Sequence, residues 1–235
     1  MKTIRRSTFA GALALAATLG VVGSGWATSV TFDLDIEFSG ATPPAGTAPW
    51  ISATFDDVVS PGFVRLTMSA NNLVGTEFID DWLFNLDPAL DPTALTFAPI
   101  SNAASVPNGI STGVDAFHAD GDGKYDILFD FPPPPGTFTS KFTTGETVIY
   151  DINGIVGLTA NSFDFLSAPA GGHGPFKSAA HIQGIGTTGN DSGWIAPDDG
   201  NGGGPPTGSP VPEPGTVVLM GLGLVGLGWM ARRRA

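Results

Sequence analysis

Residues 28–196 predict an all-β fold, a two-layer antiparallel β-sandwich of jelly-roll or immunoglobulin-like style. An N-terminal signal helix and a single C-terminal transmembrane helix are expected to frame it. Three observations carry this reading. The 33 glycines and 20 prolines among 235 residues starve long helices and favour turns between short strands. Residues 30–38 alternate strictly, with Val30, Phe32, Leu34, Ile36 and Phe38 on one face and Thr31, Asp33, Asp35 and Glu37 on the other. Seven further strand-like runs follow, and a composition of 42% hydrophobic and 10% aromatic residues suits one globular domain with appendages.

The chain opens on Lys2, Arg5 and Arg6, followed by an apolar run over residues 9–22. Gly25 and Ala27 then stand at positions −3 and −1 of a cleavage site, so residues 1–27 predict a secretory signal peptide. Arg5-Arg6 approximates a twin-arginine signal, but Phe9 falls one position late for that pattern, and the ordinary secretion translocon is expected.

After residues 30–38, strands are expected at 51–55, 63–70, 78–86, 125–131, 147–152, 162–167 and 179–185, separated by turn-rich segments such as Asn71-Asn72. Residues 87–113 carry Pro88, Pro92, Pro99 and Pro107, which prevent continuous strand pairing, so a long surface excursion with one short edge strand is expected there. The exported sandwich then spans 28–196, and a Gly/Pro-rich linker over 197–210 cannot bury a core and should act as an extended spacer.

The last segment, 211–235, begins with Pro212-Glu213-Pro214, continues into an apolar, glycine-rich stretch and ends with Arg232, Arg233 and Arg234 before the terminal alanine. Residues 215–231 would reach about 26 Å as a helix, slightly under the roughly 30 Å bilayer core, so they could barely cross it. The three arginines would stay in the cytoplasm under the positive-inside rule. This arrangement resembles the PEP-CTERM sorting signal of Gram-negative bacteria. The resemblance implies recognition by an exosortase, a membrane-embedded cysteine transpeptidase cutting near the Pro-Glu-Pro motif, and an association with exopolysaccharide-producing, biofilm-forming cells. It implies nothing about the domain the tail carries.

Charge and composition exclude several classes. Residues 28–210 hold all but one of the 22 acidic side chains against only Arg65, Lys124, Lys141 and Lys177, so a nucleic-acid partner is not expected. With no cysteine in the chain, thiol catalysis, disulfides and cysteine-ligated zinc are absent.

Within the body, His118-Ala119-Asp120-Gly121-Asp122-Gly123-Lys124-Tyr125-Asp126 sets carboxylates at alternating positions around glycines. It resembles the calcium loop of EF-hands and of integrin-type propeller repeats, with Asp120, Asp122 and Asp126 as the ligands implied. His118 and Phe129 occupy the positions where that pattern has acids, and an ordinary Asp-Gly turn is the competing reading. Calcium is therefore a candidate ion, though no cofactor is required.

Gly109-Ile110-Ser111-Thr112-Gly113 has nucleophile-elbow spacing, but neither a preceding strand nor a following helix is predicted. The G-x-G-x-x-G matches at Gly184, Gly186 and Gly189 and within 221–226 lack the helix and acidic partner of a dinucleotide site. His118, His173 and His181 are too scattered to mark a zinc site by spacing, and His181 reads as a hydrogen-bonded strand residue. Trp82, after Asp80 and Asp81, could stack on a sugar ring while the carboxylates accept its hydroxyls.

The function expected is an exported, tail-anchored envelope or extracellular-matrix protein, associated with biofilm or exopolysaccharide and without catalytic activity. Its route passes transiently through the inner membrane to the cell surface or matrix. The alternative is a calcium-assisted carbohydrate-binding module.

Overall fold

A computed structural model describes residues 28–58, 62–100, 105–120, 122–131, 141–170 and 173–198. Its strands are β1 (Ser29–Leu34), β2 (Ile36–Glu37), β3 (Ile51–Asp56), β4 (Val64–Ala70), β5 (Phe78–Phe84), β6 (Thr96–Pro99), β7 (Gly109–Ala119), β8 (Asp122–Asp130), β9 (Phe142–Thr143), β10 (Thr147–Asn153), β11 (Ser178–Ile185) and β12 (Asp191–Ala196). They form two antiparallel sheets. One has the order β1-β3-β4-β10-β6, and the other β2-β12-β11-β5-β8-β7 with β9 attached to β5.

Alternation explains the layering. In β1, β3 and β4 every second residue is buried, so Phe32, Ile51, Phe55 and Leu66 leave one face of the first sheet. They join Trp82, Phe84, Phe129 and Ile182 from the second sheet in one apolar core. The two-layer antiparallel sandwich expected of the sequence is therefore present. The signal segment 1–27 and the tail 211–235 lie outside the described residues, and among the described residues no helix is long and apolar enough to cross a membrane.

The run 30–38 is not one strand. β1 pairs with β3 in the first sheet, whereas β2 pairs with β12 in the second. The chain changes layer at Asp35, whose N–H donates to the Ala196 carbonyl at 3.1 Å. The start of β1 is held by Asp57. Its Oδ1 accepts the Thr28 backbone N–H at 2.6 Å, and its Oδ2 accepts the Thr28 hydroxyl and the Ala160 N–H, both at 2.9 Å.

Two further segments depart from expectation. Residues 162–167 are not a strand: a single 3-10 turn, Ala160–Phe163, places Phe163 flat against Phe55 with ring centroids 4.3 Å apart. Conversely, residues 109–119 form the longest strand, β7, at the edge of the second sheet. Its exposed residues mix Ser111, Asp115 and His118 with Val114 and Ala116, and 114–116 are exposed in succession where the register with β8 shifts, so it lacks the apolar alternation that reveals half-buried strands. The short edge strand expected within 87–113 is β6, paired to β10.

Candidate functional site

β5 is the strand on which the site is built. Trp82 points into the core with 0% of its surface exposed. Its ring stacks against Phe84 at 5.8 Å. The indole N–H donates to Ser178 Oγ at 3.0 Å, and that hydroxyl donates onward to the Leu83 carbonyl at 2.9 Å. The sugar-stacking role expected of Trp82 is therefore corrected: both faces of the ring are enclosed by protein.

Asp80 and Asp81 leave the strand on the other side, because the pairing with β11 is irregular there. Ala180 opposes Trp82 and His181 opposes Asp81, but Ile182 opposes Ile79, so Asp80 is the extra residue of a β-bulge. The extra residue restores Ile79 to the core and brings two consecutive carboxylates to one face. The same residue marks where β5 changes partner from β8 to β9, and its carbonyl accepts the Phe131 N–H at 2.7 Å.

On this outer face the ladder sets Asp130, Asp81, His181 and Trp194 side by side across β8, β5, β11 and β12. His181 stacks on Trp194 with centroids 4.9 Å apart and 17° between planes. Its Nδ1 lies 3.2 Å from Asp80 Oδ2, and Gln183 Nε2 donates to the same oxygen at 2.6 Å. The His181 and Asp80 side chains keep 19% and 15% of their surface exposed, so both are reachable from solvent. One ligand atom each from Asp80, Asp81 and His181 fall within 4.8 Å of one another. Burial, reinforced by the charges of Asp80 and Asp130, pushes the Asp81 carboxyl up to about 6, with His181 acting in the opposite sense.

Gln183 connects this cluster to a cleft of about 420 Å³ that it lines together with Thr76, Phe78, Lys141 and Ser192. The Lys141 ammonium sits 3.9 Å over the Phe78 ring. The cleft wall turns at Gly184, whose φ of +77° suits glycine and where an added Cβ would lie 2.1 Å from the Thr76 carbonyl oxygen.

The other sequence candidates fall elsewhere. Asp120 is exposed in the β7–β8 turn at a φ of +47°, and the Asp122 side chain lies outside the described residues. The Asp126 carboxylate holds backbone: Oδ1 accepts the Asp115 N–H at 2.9 Å and Oδ2 the Leu86 N–H at 3.0 Å. Ser111 is an exposed residue within β7 opposite Leu128, not the tip of a strand-to-helix turn. The glycines at 184–189 end β11 and lead through a turn into β12, with no helix between. His181 was expected to be an ordinary strand residue. Alternation along β11 could have put it on one face with Gln183, but nothing in the linear pattern discloses the bulge that brings Asp80 beside it.

Pro212, Glu213, Pro214, Arg232, Arg233 and Arg234 lie outside the described residues. Residues 210–234 match the family described as the PEP-CTERM protein-sorting motif. The match falls on the segment that carries Pro212-Glu213-Pro214 and the arginine triplet, so the chain bears a PEP-CTERM sorting motif at residues 210–234. No curated protein and no solved structure matches the chain.

Proposed function

We propose that the chain is a non-catalytic protein of the cell envelope or extracellular matrix, in which the sorting tail delivers the acidic β-sandwich to the cell surface among exopolysaccharide. The carrying observation is the sorting motif at residues 210–234, which ends in three consecutive arginines. In this reading residues 1–27 are removed at export, and residues 215–231 pause in the inner membrane as a single helix. The linker at 197–210 holds the sandwich clear of the bilayer until the exosortase acts. Ser111, the nucleophile candidate of the G-x-S-x-G spacing, lies within an edge strand and not on a strained strand-to-helix turn.

Fractionation of cells producing the full chain, or the chain lacking residues 211–235, tests this function. The full chain should pass from a membrane-bound precursor to a shorter surface or matrix form, and the truncated chain should be released into the medium. An untrimmed full-length product in the cytosol would overturn the proposal.

A further inference from the structure

We propose that Asp80, Asp81 and His181 form a binding site for a divalent transition-metal ion of the zinc class, on the outer face of the second sheet. This inference is independent of how the protein is sorted, because it rests on side chains of the sandwich alone.

The donor set is mixed. Two carboxylates and one imidazole place a ligand atom each within 4.8 Å of one another, a span that a single ion of roughly 2 Å bond length can bridge after small side-chain rotations. The imidazole decides the class of metal. Calcium and magnesium favour all-oxygen shells, whereas a nitrogen donor beside carboxylates suits zinc and its first-row neighbours. Three protein donors also leave coordination room for water or an outside ligand.

The arrangement also calls for positive charge. Asp81 stands next to Asp80 on β5 and opposite Asp130 on β8, so three carboxylates gather beside the His181 imidazole. A bound dication would relieve this repulsion, as it does wherever carboxylates share a site. The positions of the donors are set by backbone. The β-bulge fixes Asp80 next to Asp81, and stacking on Trp194 fixes the plane of the His181 ring. Gln183, which donates to Asp80 Oδ2, already acts as an outer partner that orients a ligand carboxylate.

The test is a calorimetric titration of the full-length chain in detergent, stripped with chelator and then supplied with zinc, and separately with calcium. One equivalent of zinc should bind, with an affinity at least about tenfold above that for calcium, and raise the melting midpoint. His181→Ala and Asp81→Asn should each weaken zinc binding by at least about tenfold, whereas Asp120→Asn in the β7–β8 turn should leave it unchanged. Asp81→Asn is close to isosteric and removes a repelled charge, so lost binding in that variant cannot be assigned to unfolding. Failure of the parent chain to bind zinc, calcium binding of equal strength, or unchanged binding in both site variants would overturn the proposal.

Discussion

Asp81 carries a conflict that a pH titration can read. Its carboxyl is raised from an ordinary 3.8 to about 6, first by burial and then by the charges of Asp80 and Asp130. The folded state thus holds this proton more tightly than the unfolded chain. The resulting stability is full below about pH 4 and is lost as pH rises through about 6. Metal-free Asp81→Asn should accordingly melt above the parent at neutral pH, by about 1 kcal/mol once solvent screening is allowed for, with the two converging near pH 4. Thermal melts across that range in chelator check it, and a variant that melts lower at neutral pH contradicts it. Ser178 poses the opposite case. It is fully buried and satisfies the Trp82 indole while donating to the Leu83 carbonyl. Ser178→Ala strands that N–H and should cost about 1–3 kcal/mol in a denaturant titration. Neither effect was legible beforehand. Adjacent carboxylates at 80 and 81 and a tryptophan at 82 were visible as letters, but the burial that separates their roles depends on which face each takes.

At the level of elements, regular alternation was readable and irregularity was not. The apolar stripes of β1, β3 and β4 announce themselves because one face meets the core. The long edge strand β7 does not, since Val114, Asp115 and Ala116 are exposed in succession and break the period-two contrast. The layer change at Asp35 was hidden for another reason: alternation continues through it, so the pattern alone cannot tell one strand from two in different sheets. The bulge at Asp80 makes a sharp prediction. Because Asp80 lacks a β11 partner, deleting it would join Ile79 to Asp81 with core-in, solvent-out alternation intact. The deletion variant should retain a β-type circular dichroism spectrum and cooperative unfolding while losing the contacts to His181 and Gln183. Collapse to an unfolded chain would show that the extra residue is needed for the switch from β8 to β9, not only for the placement of a side chain.

For the molecule as a whole, the address was the most legible part, because sorting signals are read by other proteins as linear peptides. Pro212-Glu213-Pro214 and the arginine triplet can be recognised without any fold, and the family match covers the same segment, residues 210–234. Sheet order was closed to inspection, since β5 lies between β11 and β8, strands remote from it along the chain. The site inherits that difficulty: its residues come from strands about a hundred positions apart, and only long-range pairing brings them together.

The clasp at Asp57 holds the first residue after the expected signal-peptide cleavage site. A peptidase cutting after Ala27 would convert the Thr28 amide into a free ammonium group, already 2.6 Å from a carboxylate oxygen. A hydrogen bond in which only the carboxylate is charged then becomes one in which both partners are, adding the attraction of opposite charges. Asp57→Asn should therefore lower the melting point more in a chain beginning at Thr28 than in one that keeps residues before it. Equal losses in both would refute this. Losing its leader, the protein would gain an anchor for its first strand, and maturation would tighten the sandwich at the moment it leaves the cell's interior.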